Sequence, residues 1–176
     1  MVRSLALGVA VLALMTVAAS AHGPTRQKVT ETVEINAPLE KVWETIGNFQ
    51  DMSWHPAVEK VEGTGGNEAD ATRILTLKGG GTIAEKLVQN DPAKKLYKYE
   101  ITDVDVKVLP VNNYSSSISV KGEGDKSTVE WRGAFYRGFM NNDPPPELDD
   151  EAAKKAVTGV YRGGLDALKE KLEAGG

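Results

Sequence analysis

The sequence predicts an α+β domain in which a seven-stranded antiparallel sheet packs against one long C-terminal helix. Three observations carry that expectation. A strand near residue 33 runs at once into two short helices. The chain from there to about residue 136 alternates short β-type segments with Gly-rich turns. Residues 150–172 then repeat apolar side chains at helical spacing.

The first strand is read from Val33 and Ile35, which alternate with polar neighbours as a half-buried strand requires. Pro38 can open a helix, because its missing N–H would have no partner there, and Asn36 is a candidate cap. Leu39, Val42, Trp43 and Ile46 repeat at helical spacing until Gly47. Phe49, Met52 and Trp54 form a second short apolar segment, predicted as the second helix and ending in Trp54-His55-Pro56.

Strands follow at 58–63, 73–77, 82–88, 96–102, 114–121 and 127–136. Gly79-Gly80-Gly81 and Gly122-Glu123-Gly124-Asp125 read as hairpin turns, since Gly supplies positive φ without strain. Asn90-Asp91-Pro92 marks a further turn. Strands in hairpin order pair antiparallel. The segment 141–150, with Pro144-Pro145-Pro146, reads as a rigid connection.

Asp149 or Asp150 can cap the final helix, with acidic residues at its positive end. Its apolar stripe is Ala153, Val157, Val160, Tyr161, Leu165, Leu168 and Leu172. Gly159, Gly163 and Gly164 interrupt it, each at a cost of about 1 kcal/mol relative to Ala. They mark either a close approach on that side or simple tolerance.

Residues 1–21 read as a cleaved export signal: Arg3, an apolar run over 5–19, and Ala19-Ser20-Ala21 as the cleavage site. The run is shorter than the roughly 20 residues a membrane span needs. The expected product is a periplasmic chain beginning at His22, with 22–176 forming one domain and no membrane contact after cleavage. The full chain of 176 residues carries a formal charge of −4, and no local basic cluster stands out. Nucleic acid and anionic lipid are therefore not expected as partners. With no cysteine, disulfides, thiol chemistry and Cys-ligated metals are excluded. There is no phosphate-binding Gly loop, no G-x-S-x-G elbow and no His-x-x-x-His pair.

The order of elements is the helix-grip arrangement. With INAPLEKVW near the start, R-x-L-x-L before a Gly turn and TIAEKL strand, and STVEW near the end, the chain resembles the SRPBCC superfamily in its polyketide cyclase/dehydrase-like branch. The resemblance implies a strongly curved sheet that wraps the C-terminal helix, with an apolar cavity between them. A narrower resemblance rests on NFQDMSWHPAV, LPVNNYSS, EWRGAFYRG and NNDPPPELDDEAAKKAVTGVYRGGLDALK. These look like the MxaD group of periplasmic proteins associated with methanol oxidation. That implies an accessory role, without catalysis or cofactor, toward methanol dehydrogenase and its cytochrome c. The alternatives are a carrier of a small apolar or lipid ligand, and a cyclase- or hydrolase-like enzyme.

Alternation identifies candidate cavity residues. Tyr97, Tyr99 and Ile101 share one face, as do Tyr114, Ser116, Ile118 and Val120, and Val129, Trp131, Gly133 and Phe135. Tyr97, Tyr99, Tyr114 and Trp131 have polar tips that need a partner when buried. A symmetric triple-Gly turn would set Leu75 opposite Glu85 and leave Arg73 diagonal to it, as an ion pair or as an anchor for a polar ligand. In the enzyme reading Glu85 is the acid or base. Trp54 and His55 are expected near the cavity mouth. His22 and His55 are too few to make a metal site a strong expectation, and no metal is assigned.

Overall fold

A computed structural model describes residues 23–174. The expected signal at 1–21 and His22 lie outside the described residues. Strands β1 (Gln27–Ile35), β2 (Val58–Thr64), β3 (Thr72–Leu77), β4 (Thr82–Asp91), β5 (Leu96–Val104), β6 (Val111–Glu123) and β7 (Lys126–Arg137) form one seven-stranded antiparallel sheet in the order β1-β7-β6-β5-β4-β3-β2. Helix α1 (Leu39–Ile46) follows β1, and α2 (Asp150–Ala174) closes the chain. This is the expected helix-grip fold, with the sheet curved around α2. Register shifts in β2, β4 and β6 account for the bending, because each bulge coils its strand locally.

β1 begins well before Val33, the first residue that its apolar alternation marked. Glu31 lies among its inward positions and hides the period; it pairs there with Arg162 of α2 at 3.3 Å. Asn36 does not cap α1, which begins behind Pro38 without a side-chain cap. Its backbone N–H and its side-chain amide instead both donate to Glu173 near the end of α2, at 2.8 and 2.9 Å. The segment after Gly47 forms successive single turns rather than a continuous second helix. These are closed by Asp51 N–H to Asn48 O, His55 N–H to Met52 O and Val58 N–H to His55 O.

Because β1 and β2 are opposite edges of the sheet, residues 36–57 must cross its concave side. That places Phe49, Met52 and Trp54 in the core beside α2, each almost fully buried. Asp149 caps α2: its Oδ1 accepts the Ala152 N–H at 2.8 Å. The helix buries Ala153, Val157, Tyr161, Gly164, Leu165, Leu168 and Leu172, mainly against β1 and β7. Among the described residues, no helix is long and apolar enough to cross a membrane.

Candidate functional site: a small cavity under the C-terminal helix

The concave face of the sheet and α2 enclose an apolar cavity of about 70 Å³. Glu85 of β4, Tyr99 of β5, Tyr114 of β6, Trp131 of β7, and His55 and Met52 of the crossing segment contribute to its wall. Of the candidates from the sequence, His55, Glu85, Tyr99, Tyr114 and Trp131 therefore meet at one place. Arg73, Tyr97 and Trp54 are buried behind that wall and do not line it.

Arg73 stands directly opposite Glu85, not diagonal to it. The tight turn spans Leu77 to Gly80, where Gly80 N–H donates to Leu77 O, and both Gly80 and Gly81 take positive φ. The hairpin is thus asymmetric about the three glycines, and the register moves accordingly. Arg73 Nε donates to Glu85 Oε2 at 2.6 Å, and Nη1 donates to the Phe49 carbonyl at 2.5 Å. Its guanidinium also lies 4.1 Å from the centre of the Phe49 ring, a cation–π contact. Burial opposes the arginine's charge, but Glu85 and the neighbouring tyrosines hold its pKa above the usual value. Burial raises the Glu85 pKa, with Arg73 working against that shift. Glu85, its carboxylate held by Arg73, stands in that wall with His55, Tyr99 and Tyr114 as one of the titratable groups the cavity offers.

His55 is a wall residue, but it is interior rather than at an exposed mouth, with 4% of its surface accessible. Nδ1 accepts the Ala57 N–H at 3.2 Å, which leaves Nε2 to donate to the Val160 carbonyl at 3.0 Å. Those partners select the neutral Nε2–H tautomer, and burial lowers the pKa in the same direction. Gly164 makes the contact with α2 possible. A Cβ there would lie 2.5 Å from His55 Cδ2 and 3.0 Å from Trp131. Of the two readings of the helix glycines, close approach holds at Gly164 and tolerance at Gly159 and Gly163, which face open space.

Beside the cavity lies a chain of buried hydroxyls. Tyr99 and Tyr114 are 3.4 Å apart, Tyr114 and Tyr161 2.5 Å, and Tyr161 and Ser116 3.1 Å. Ser116 donates to the Arg132 carbonyl at 2.7 Å, and Trp131 Nε1 reaches both Tyr99 and Ser116. With Ser116 committed to Arg132, every hydroxyl donor is used if the chain runs from Tyr99 to Tyr114 to Tyr161 to Ser116. Burial raises the pKa of Tyr99, Tyr114 and Tyr161, so all three are neutral phenols. Of the polar tips expected to need a partner, those of Tyr99, Tyr114 and Trp131 thus find one within the protein.

Tyr97 differs. Its hydroxyl makes no hydrogen bond, and burial raises its pKa although the Arg73 charge is close by. Trp54 Nε1 is likewise without an acceptor, its ring edge-on to those of His55 and Trp131.

Sequence reasoning placed Ser116 on the inward face of its strand without singling it out, and read Tyr161 only as part of the apolar stripe of α2. The usable signal for Tyr161 was a tyrosine in the apolar stripe of α2 opposite a glycine, Gly133, in a buried strand. A Cβ at Gly133 would collide with the Tyr161 hydroxyl.

A family model described as polyketide cyclase/dehydrase and lipid transport matches residues 26–173, nearly the whole of the described chain. The chain belongs to the polyketide cyclase/dehydrase and lipid transport family. Among solved structures, the protein XoxI from Bacillus cereus is 33% identical, with a TM-score of 0.70 over 82% of this chain and 94% of that one. Norcoclaurine synthase from Thalictrum flavum shares the fold at 16% identity, with a TM-score of 0.63 over 97% and 98% of the two chains. The Zhui aromatase/cyclase from Streptomyces sp. R1128 shares it at 17% identity, with a TM-score of 0.65 over 85% and 94%. No curated relative matches the chain. Two proteins that share the fold are thus named as enzymes, and the fold does not decide whether this chain is one.

Proposed function

We propose that this chain is a non-catalytic periplasmic accessory protein of methanol oxidation, of the MxaD type, which assists methanol dehydrogenase in passing electrons to its cytochrome c. The observation that carries the reading against its enzymatic alternatives is the size of the cavity. About 70 Å³ is well below the roughly 300 Å³ at which pockets for drug-sized ligands begin. A multi-ring substrate or a lipid chain would have to displace α2 or the hydroxyl chain. The name XoxI, borne by a relative 33% identical, is associated with methanol oxidation and supports the same pathway.

The docking surface within this reading is the loop Met140 to Glu147, whose Asn141, Asn142, Asp143, Pro146 and Glu147 are exposed. Trp54 and His55 are interior and take no part in it. Purified protein added to methanol dehydrogenase and its cytochrome should change the rate of electron transfer at low ionic strength, and salt should suppress the effect. An unchanged rate would sink the proposal. Turnover of an added carbonyl or hydroxyl compound, abolished by Glu85→Gln in a folded protein, would establish the enzymatic alternative instead.

A further inference from the structure

The outer face of the sheet, turned away from α2, carries a groove of about 370 Å³. Its floor is built from the small side chains Ser115 and Ser117 of β6 and Ala134 of β7. Lys28 of β1, Arg132 of β7 and Lys98 of β5 rise around it. Strand pairing creates this cluster, setting Lys28 opposite Ala134, and Ser117 between Arg132 and Lys98. Arg26 adds a further cation at one end, donating to Ser115 Oγ at 2.9 Å and to the Ala134 carbonyl at 3.3 Å.

The carboxylates around the groove leave most of this charge unpaired. Glu100, itself in the groove wall, is held by Lys86 at 2.9 Å, and Glu130 pairs with Arg132 at 3.6 Å. Among the described residues, neither Lys28 nor Lys98 has a carboxylate within ion-pair distance. A chain of net charge −4 thus gathers cations around one open, hydroxyl-floored groove.

We propose that this groove docks a short acidic segment of a partner protein, whose carboxylates pair with Lys28, Lys98 and Arg132 while its backbone lies over Ser115 and Ser117. A few carboxylates match the cations present. A long polyanion such as nucleic acid would extend beyond them into the negative field of the rest of the molecule. The inference does not depend on methanol oxidation and can be tested without either protein of that pathway.

The test is a titration of isotope-labelled protein with a short peptide of alternating glutamate and serine at low salt, followed by amide chemical shifts. Shifts should concentrate at residues 98–100, 115–117 and 132–134, and an equivalent lysine–serine peptide should give none. Lys98→Glu with Arg132→Glu should weaken binding by about tenfold or more. The milder pair Lys28→Gln and Lys98→Gln, which leaves the fold undisturbed on a solvent face, should weaken it less. The proposal is overturned if no shifts occur, if they fall elsewhere, or if charge reversal leaves affinity unchanged. It is also overturned if these amides shift on simple dilution without peptide, since the groove would then be closed by a second copy of the chain.

Discussion

The imidazole of His55 is held by one backbone donor and one backbone acceptor, and that pairing determines what protonation does. A second ring proton would point Nδ1–H at the Ala57 N–H. The folded-state pKa lies below the ordinary value, so the neutral form contributes stability above the unfolded pKa of about 6.5, and that contribution is lost as pH falls toward the folded value. Urea unfolding of the wild type should therefore show stability falling below about pH 6.5, by at most about 1.4 kcal/mol per pH unit. His55→Gln should flatten that slope; equal slopes in both proteins would contradict the neutral assignment. The neighbouring glycine gives a paired prediction. Gly164→Ala should destabilise by about 1–3 kcal/mol despite the better helix propensity, because overpacking at His55 and Trp131 outweighs it. Gly163→Ala, in open space on the same helix, should stabilise by about 0.5–1 kcal/mol. Thermal midpoints of the two variants moving in the same direction would refute the contrast.

At the scale of elements, two buried ties join pieces of the fold that are distant in sequence. Arg73 and Glu85 link β3 to β4, and through the Phe49 carbonyl they fasten the crossing segment to the sheet. Arg73→Met should cost about 3–5 kcal/mol by leaving a buried carboxylate without its partner, and adding Glu85→Leu should recover most of that. A double variant no more stable than the single one would show that the pair does more than neutralise itself. The hydroxyl chain links α2 to β5 and β6. Tyr161→Phe removes the donor to Ser116 and the acceptor for Tyr114, at an expected cost of about 1–3 kcal/mol in denaturant unfolding. Its stacking on Trp131, with centroids 4.4 Å apart, is kept in that variant, so a near-zero effect would mean that ring packing alone holds the helix.

For the molecule as a whole, curvature is the controlling quantity. Bulges in β4 and β6 bend the sheet until its aromatic face closes on α2, and what remains is an apolar cavity of about 70 Å³. A naphthalene-sized fluorescent probe should consequently fail to bind the native protein. Tyr99→Ala, which opens the wall, should admit it; saturable binding to the wild type would show that the cavity opens more widely in solution.

The chain order of elements, the inward faces of β5, β6 and β7, the apolar stripe of α2 and the glycine-marked turns were all legible in the sequence. Each follows from a local period or a local backbone requirement. Other features were not local. The Arg73–Glu85 register depended on which glycines take positive φ, and Asn36 turned from a cap to a tie because Glu173 arrives from the far end of the chain. Tyr161 and Ser116 complete the site only when α2 lies over Gly133. The absence of any basic run in the sequence hid the outer cluster, because Lys28, Lys98 and Arg132 meet only through strand pairing. By itself the sequence determined which element each residue enters and which face it shows, since both are set by neighbours along the chain. Tertiary structure decided which residues meet across the cavity and the outer groove, since sheet order and register bring together positions that no local period relates.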